Sequence, residues 1–289
     1  MFDQHAFDQI LGEIERGEAG TAAVFLVGMM TNQLRDAQGF EQLRTTLRAH
    51  PLHRALLEDP FSARAYAKPR GYAGDAVLID YIYDRMPPPD TSATGRAIFA
   101  ASTRFQGSQG VCERRNHAEA VLSRAWSQGK RICALACGHL READGLVGKD
   151  LHNIVAVDQD PLSLGVVAAQ HDGRIGLVEA NAIGYLRQAA REGERFDLIY
   201  TLGLTDYFDE RGMRLLHKLM KQCLAPGGRI MVANFLPGHL STAWMDAVMD
   251  WHLIYRTDAQ MGSYASEIGM RPHLFRDASN SIVFCEMTE

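Results

Sequence analysis

Short apolar runs separated by helix-compatible stretches make up the chain after about residue 115. One run, from Arg131 to Ala136, is followed by the small residues Cys137 and Gly138. After a helix-compatible stretch, a second run, Ile154 to Val157, ends at Asp158. Runs of this length between turns are typical of buried strands. The order of strand, tight turn, helix, strand and acid predicts a βαβ unit of the kind that binds a nucleoside-bearing cofactor.

Three later segments continue the alternation. Residues 174–182 form a strand pattern that ends in the short polar residue Asn181, and residues 196–204 form a buried-strand pattern that turns polar at its end. Residues 224–235 combine a helix stop, a turn and a fifth strand. Alternating strands and helices predict an α/β fold with a parallel sheet.

The N-terminal part of the chain has a different pattern. Apolar positions recur there at helical spacing and predict helices at about residues 7–14, 21–34, 43–47 and 112–128. Prolines divide this part into short helices rather than strands. We therefore predict an all-helical cap for substrate recognition, residues 1–115, and a cofactor-binding catalytic domain, residues 116–289.

Composition and charge limit the function classes. The 289 residues carry a net charge of −5 with both signs spread along the chain, so no basic stripe for nucleic acid is present. The five cysteines lack C-x-x-C pairs and the histidines lack zinc spacing, which predicts no metal site and a reducing cytoplasm. No signal peptide is evident, and the apolar stretch from Ala22 to Met30 is too short to span a bilayer. We expect a soluble cytoplasmic protein that binds neither nucleic acid nor membrane, with a homodimer left open.

The turn after the first strand separates two classes of cofactor. A dinucleotide-binding G-x-G-x-x-G motif would need glycine at Gly138, Leu140 and Ala143, and only the first is glycine. No P-loop sequence follows any strand. A cofactor with a ribose and no phosphate fits better, which makes S-adenosylmethionine (SAM) the candidate. A nicotinamide oxidoreductase remains the alternative.

At this point the chain resembles the class I SAM-dependent methyltransferases. The stretch "FDLIYTLGL" is similar to their fourth motif, and "LAPGGRIMVANF" is similar to the loop and strand that follow it. The resemblance covers about residues 115–289 and implies a Rossmann-like, seven-stranded methyltransferase sheet with SAM as cofactor. The first loop departs from the family, because Gly138-His139-Leu140 replaces the usual G-x-G. A side chain at 139 or 140 therefore either contacts the methionine part of the cofactor or points away from it.

Cofactor-binding residues follow from this arrangement. We expect Asp158 to accept hydrogen bonds from both ribose hydroxyls, Asn181 to meet the adenine N6 edge, and the Ala182 N–H to meet the ring. His139 is interpreted as a cofactor contact, with a general base as the alternative. The complete predicted set is Tyr72, Ala136, Gly138, His139, Asp158, Gln159, Asn181, Ala182 and Thr201.

The stretch "KPRGYAGD", residues 68–75, is the most distinctive part of the cap. Two glycines and a proline indicate an irregular backbone, and Arg70, Tyr72 and Asp75 could together hold a zwitterion. The alternative is a turn in which Asp75 caps a helix from Ala76 to Tyr83. With "ACGHLREA" and "MDWHLIYRT", this stretch is similar to a bacterial group of small-metabolite methyltransferases that act on methionine sulfur or on the carboxyl of 3-hydroxy fatty acids.

Residues for the acceptor are expected at the carboxyl ends of the strands. His239, in the loop after the fifth strand, is the predicted catalytic residue, and a helix over residues 244–255 is predicted to present Trp244, Val248, Trp251 and Tyr255 on one face. Trp244 and Trp251 are explained better as core than as an aromatic clamp, and Asp206 and Tyr207 are equally explained as caps of the helix near Asp209. The predicted substrate-binding set is Arg70, Asp75, Tyr207, Asn234, Trp251 and Tyr255.

The implied chemistry needs alignment and exclusion of water more than proton transfer. A carboxylate or thioether acceptor has no proton to lose, whereas a hydroxyl or an amine would need a base, for which His239 is the candidate. The N-P-P-[YF] signature of amine methylation is absent after the fourth strand. We therefore predict methyl transfer to a small carboxylate-bearing metabolite on sulfur or carboxyl oxygen. Another small-molecule O- or N-methyltransferase and a non-catalytic SAM-binding protein are the alternatives.

Overall fold

The computed structural model describes residues 4–289. Its helices are α1 (Gln4–Glu15), α2 (Ala19–Thr31), α3 (Ala37–Ala49), α4 (Pro51–Leu56), α5 (Pro60–Ala67), α6 (Ala76–Asp84), α7 (Ala93–Ser102), α8 (Gln106–Ser127), α9 (Pro161–Gln170), α10 (Ala182–Glu192), α11 (Glu210–Gln222), α12 (Ser241–Ala247) and α13 (Asp258–Glu267). The strands are β1 (Ile132–Leu135), β2 (Leu151–Asp158), β3 (Ile175–Glu179), β4 (Phe196–Thr201), β5 (Leu224–Phe235), β6 (Arg271–Arg276) and β7 (Ile282–Thr288). Short 3₁₀ helices cover Arg141–Leu146 and Thr205–Tyr207.

All seven strands form one sheet in the order β3-β2-β1-β4-β5-β7-β6. Strands β1 to β5 run parallel, and β7 pairs antiparallel with both β5 and β6. The predicted Rossmann-like α/β fold is therefore confirmed. Strand β1 pairs with β2 on one side and with β4 on the other, so the strand order reverses beside it. Ligands of open α/β sheets bind at such a reversal, outside the carboxyl ends of the strands.

The sheet is buried on both faces, which explains why its parallel strands are continuously apolar. Along β4, Leu198 and Tyr200 join a core cluster that includes residues of α8, whereas Ile199 joins a cluster that includes residues of α10, α11 and α13. Successive strand residues point to opposite faces, so this alternation is the direct result of strand geometry. The two cores fix the carboxyl ends of β1, β2 and β4, where the candidate site lies.

The chain divides into two compact units. Unit 1 comprises the chain up to Cys112 together with Gly238–His252, and unit 2 comprises Glu113–Pro237 with Leu253–Glu289. Unit 1 thus contains helices α1 to α7 and also α12, which lies far along the sequence. The predicted cap, residues 1–115, did not include this later segment. Within the described residues, no helix is long and apolar enough to cross a membrane.

Three predicted helices differ from the structure. The helix predicted over residues 244–255 ends at Ala247, and Asp250 adopts a left-handed φ of 51°, so Trp251 and Tyr255 do not share a helical face with Trp244. The α-helix expected after β1 is a short 3₁₀ helix. Helix α8 begins at Gln106 rather than near residue 112, although glycine at 107 lowers helix propensity.

Candidate functional site

The loop after β1 has a left-handed backbone at three alternate positions. Ala136, Gly138 and Leu140 have φ values of 51°, 55° and 50°. Only glycine adopts this region without strain, so the loop keeps the backbone of a glycine-rich turn although two of its three left-handed residues carry side chains. Leu140 is fully buried in the core beside Ala143. Of the two side chains at 139 and 140, Leu140 therefore belongs to the core, while His139 lies in the loop and is 6% exposed.

Asp158 ends β2 and holds this loop. Its Oδ2 accepts a hydrogen bond from the Gly138 N–H at 2.8 Å, and its Oδ1 accepts from the Asp160 N–H at 2.9 Å. Each carboxylate oxygen can accept more than one hydrogen bond. The carboxylate therefore fixes the loop after β1 and retains acceptor capacity for the two hydroxyls of a ribose. The hydrogen bond between the Gly138 N–H and Asp158 lies where the strand order reverses beside β1, and the sequence predicted a cofactor site there.

The predicted adenine contacts lie after β3 and beside Asp158. Asn181 is the N-cap of α10, and its side-chain oxygen accepts from the Gly184 N–H at 2.8 Å. This capping role was not part of the prediction, and it leaves the second lone pair of the oxygen for a ligand. Ala182 is buried at the start of the helix, and Gln159 is exposed next to Asp158.

Thr201, the last residue of β4, is buried with no exposed surface. Its hydroxyl has no hydrogen-bond partner within residues 4–289. Buried hydroxyls in native proteins are almost always paired, so an isolated one at the carboxyl end of a strand indicates a contact with a ligand. The role of Thr201 as a cofactor contact stays a prediction.

The loop after β4 is held by a buried polar network. Asp206 Oδ1 accepts from the Phe235 N–H at 2.7 Å, and the Asn234 side-chain amide donates to the carbonyl oxygens of Phe235 and Ile254, both at 2.9 Å. Asn234, predicted to bind substrate, is 1% exposed. The structure therefore places it inside the network that supports the loop, whereas Tyr207 of the same loop is 40% exposed.

Arg256 is the centre of this network and is 1% exposed. Its Nη1 donates to the Thr205 carbonyl oxygen at 2.9 Å and to Asn234 Oδ1 at 3.1 Å, and its Nη2 donates to the Phe208 carbonyl oxygen. The Nε donates to the Tyr264 hydroxyl at 3.2 Å. All three guanidinium nitrogens thus have acceptors, so the role of Arg256 is to fix the loop after β4.

Asp206 lies in the same network and does not cap α11. Asp209 is the cap of that helix, accepting from the Gly212 N–H at 2.7 Å, so the alternative role predicted for Asp206 and Tyr207 was wrong. Burial raises the pKa of Asp206 to about 6, against the opposing effects of the Phe235 N–H and of Arg114 and Arg256.

Three buried ionisable groups at this edge were missed by the sequence analysis. Glu142 Oε1 accepts from the Tyr200 hydroxyl at 2.7 Å, and burial raises the pKa of both groups. Arg114 of α8 donates from Nη1 to the Leu202 carbonyl oxygen at 2.5 Å. A signal was present in the sequence, because Arg114 occupies a position of the apolar stripe of α8 formed by Val111, Ala118, Val121, Leu122 and Ala125.

The loop "KPRGYAGD" lies in unit 1 and is fixed at both ends. Asp75 has no exposed surface, caps α6 through the Leu78 N–H at 2.9 Å, and accepts from Arg64 Nε and Nη2 at 2.8 and 2.7 Å. At the other end, the Lys68 ammonium donates to Asp250. Arg70 and Tyr72, between these anchors, are half-buried. The predicted capping role of Asp75 is present, although α6 extends to Asp84.

The remaining predicted residues are divided between the two units. His239 lies in unit 1 and is 3% exposed. Trp251, also in unit 1, is 5% exposed, whereas Tyr255 lies in unit 2 and is half-buried. Trp244 is a core residue, because it is 1% exposed and its ring nitrogen donates to Ser62 Oγ at 3.0 Å.

Comparison with known proteins gives similarity in structure only. No protein-family model matches the sequence, and no curated protein matches it. A possible exported protein from Bordetella parapertussis has 19% sequence identity and a TM-score of 0.62, with 92% of this chain and 96% of that chain covered. This similarity shows that the fold extends over nearly the whole of both chains.

Methyltransferase structures are also among the similar ones. Magnesium protoporphyrin IX methyltransferase (ChlM) from Synechocystis PCC 6803, with bound S-adenosylhomocysteine, is 10% identical, with a TM-score of 0.48 and coverage of 63% of this chain and 86% of that chain. N-methyltransferase NodS from Bradyrhizobium japonicum WM9 is 15% identical, with a TM-score of 0.45 and coverage of 61% of this chain and 96% of that chain.

Proposed function

We propose that this protein transfers the methyl group of SAM to a small carboxylate-bearing metabolite, on sulfur or on carboxyl oxygen. The observation that supports the cofactor best is the hydrogen bond from the Gly138 N–H to Asp158 at the strand reversal. It combines a loop with a glycine-like backbone, which lets a ligand approach closely, with a carboxylate that can accept from two ribose hydroxyls. When bound, SAM supplies a methyl group on a sulfonium that leaves as a neutral thioether.

The residues of unit 2 have distinct proposed tasks toward this cofactor. Asp158 holds the ribose, Asn181 and Gln159 contact the adenine, and the isolated Thr201 hydroxyl reaches the ligand from β4. A pyrophosphate is not favoured, because Leu140 and Ala143 occupy two glycine positions of the dinucleotide motif and both are fully buried in the core. This arrangement favours a SAM enzyme over a nicotinamide enzyme.

Acceptor recognition is proposed for the exposed or half-buried residues of the predicted set. Tyr207 is carried by a loop that Arg256 fixes, and Arg70 is carried by a loop fixed at Lys68 and Asp75. Rigid support for exposed polar side chains is what selective binding requires. A carboxylate or thioether acceptor needs no general base, so His239 would act as a base only toward a hydroxyl or amine acceptor.

The cytoplasm is the proposed location. All five cysteines are free, and three of them, Cys133, Cys223 and Cys285, are buried. Free thiols are retained in reducing compartments.

Calorimetry with SAM and a methyl-transfer assay test the function. We expect the wild-type chain to bind SAM and the Asp158→Ala variant to lose about 30-fold to 1000-fold in affinity, since two hydrogen bonds to a charged acceptor are removed. Asp172→Ala is the matched control, because Asp172 is an exposed acid in the turn after α9. Near-normal SAM affinity in Asp158→Ala would contradict the ribose assignment.

Radiolabelled SAM with pooled amino acids, small carboxylates and 3-hydroxy fatty acids then tests the acceptor. Formation of a labelled product is expected, and its lability to base distinguishes a methyl ester from a methylsulfonium or an ether. SAM binding without any labelled product would favour a non-catalytic SAM-binding protein, and binding of NAD in place of SAM would favour the oxidoreductase alternative.

A further inference from the structure

Arg114 is a buried cation whose hydrogen-bonding capacity is mostly unused. Its side chain is 6% exposed, yet the guanidinium makes one hydrogen bond, from Nη1 to the Leu202 carbonyl oxygen at 2.5 Å. Its buried Nε has no acceptor within the described part of the chain. Arginine has five N–H donors, and buried donors are nearly always paired. A guanidinium in this state is suited to an anion that two or more of its donors can hold together.

Two buried carboxyl groups attract Arg114 electrostatically, and both accept hydrogen bonds from other donors. Glu142 accepts from the Tyr200 hydroxyl at 2.7 Å, and Asp206 accepts from the Phe235 N–H at 2.7 Å. Both are close enough to Arg114 for electrostatic attraction, but neither accepts a hydrogen bond from its guanidinium among residues 4–289. Burial also favours the neutral forms of both acids, which raises their pKa values. Within the described residues, the Arg114 guanidinium therefore has no carboxylate that accepts a hydrogen bond from it.

The position of the guanidinium coincides with the ligand edge of the sheet. A Cβ placed on Gly203 would lie 3.5 Å from Nη1 and 3.6 Å from Nη2 of Arg114. The guanidinium thus lies beside the loop that follows β4, and Gly203 leaves it uncovered by a side chain. Thr201, whose buried hydroxyl also has no partner within the described residues, precedes Gly203 by two positions. Both groups thus lie near the carboxyl end of β4, the edge at which ligands of open α/β sheets bind.

We propose that Arg114 is a carboxylate-binding residue of the site in unit 2. This inference rests on the proposed function, because both available carboxylates belong to its ligands: the methionine carboxylate of SAM and the carboxylate of the acceptor. A planar guanidinium holds either of them through two parallel hydrogen bonds. The alternative is that Arg114 serves only to support the Leu202 carbonyl.

Calorimetry with two probes separates these roles. The variants are Arg114→Met, which keeps the length of the side chain without charge, and Arg114→Lys, which keeps the charge without the planar fork. Arg124→Met is the matched control, because Arg124 is exposed near the end of the same helix. The probes are SAM and 5′-methylthioadenosine, which has the nucleoside and lacks the amino-acid part. Circular dichroism verifies that each variant is folded.

Two results would support the inference. If Arg114 holds the cofactor, SAM affinity falls at least about tenfold in Arg114→Met while the affinity for 5′-methylthioadenosine stays the same, with Arg114→Lys in between. If Arg114 holds the acceptor, both affinities stay the same, and the KM of the acceptor found in the radiolabel assay rises at least about tenfold. Arg124→Met should change none of these values.

Other results would overturn it. Unchanged affinities and an unchanged KM, or an equal loss for SAM and 5′-methylthioadenosine, would leave Arg114 only a structural role. A wild-type chain that does not bind SAM would instead contradict the proposed function, so the two failures are distinguishable. If Arg114→Met does not fold, the affinities of the wild-type chain for SAM and for decarboxylated SAM are compared. The KM values for the acceptor acid and for its amide are compared in the same way. Ratios near one in both pairs would exclude a carboxylate contact.

Discussion

Replacing Asp75 with alanine should destabilise unit 1 by about 3 kcal/mol. Asp75 is fully buried, caps α6 through the Leu78 N–H, and receives two hydrogen bonds from Arg64 at 2.8 and 2.7 Å. Loss of the cap costs about 1 kcal/mol, and removal of one partner from a buried ion pair costs about 3–5 kcal/mol. Because the Arg64 side chain is 21% exposed, water would recover part of its solvation, which brings the expected total to about 3 kcal/mol.

Urea unfolding of the full chain, followed by circular dichroism and tryptophan fluorescence, measures this change. Trp244 and Trp251 report on unit 1. A double-mutant cycle with Arg64→Ala should give a coupling energy of about 2 kcal/mol, and the control Asp90→Ala, at an exposed position, should stay within about 0.5 kcal/mol of wild type. A loss below about 1 kcal/mol, accompanied by loss of acceptor binding, would refute this reasoning and make Asp75 the ligand residue that the sequence predicted.

Three further outcomes are expected. Asp206→Asn should flatten the pH dependence of the free energy of unfolding between about pH 4 and 6. The pKa of Asp206 is raised to about 6, so its stabilising contribution is present below its ordinary pKa and is lost as the pH rises through 6. Urea unfolding at several pH values measures this, and an unchanged slope would argue against it. Arg256→Met should lower the free energy of unfolding by about 3 kcal/mol, because three buried acceptors lose their donor. The variant should also speed hydrogen exchange in the loop after β4, and slow exchange as in wild type would contradict that. The Cys137 thiol should resist iodoacetamide near pH 8. Burial, and to a smaller extent the Asp158 and Glu142 carboxylates, raise its pKa well above the ordinary value. Rapid labelling seen by mass spectrometry would be inconsistent with this.

The sheet could be predicted from the sequence because each strand carries its own local signal. Buried parallel strands are continuously apolar, and the acid at Asp158 and the turn at Gly138 mark their ends. The region after α12 carries no such signal. Periodic apolar residues from Trp244 to Tyr255 fit a helix equally well. In the structure Asp250 has a left-handed backbone and pairs with Lys68 and Arg48, which are distant in sequence. Non-local contacts of this kind are not readable from one sequence.

The candidate site was predictable in its positions and less so in its roles. Asp158 lies where the pattern placed it, because an acid at the end of a strand is fixed by the strand itself. Asn234 and Asp75 were predicted to bind substrate, but in the structure both are buried and hydrogen-bonded to partners that lie elsewhere in the chain. At Leu140 the sequence misleads in another way, because a leucine does not predict the left-handed, glycine-like backbone that this residue adopts. Residue type alone does not reveal whether a buried polar group already has its partner.

The two buried arginines of unit 2 show why that distinction matters for function. Arg256 and Arg114 are exposed by 1% and 6%, and both approach the loop after β4. Arg256 has an acceptor for each of its three nitrogens, so the protein itself compensates the cost of burying its charge. Arg114 has one acceptor, although the same loop is within its reach. A fold that gives every nitrogen of Arg256 an acceptor has no structural need to leave Arg114 with one, which favours the proposal that a carboxylate ligand supplies the partners that Arg114 lacks.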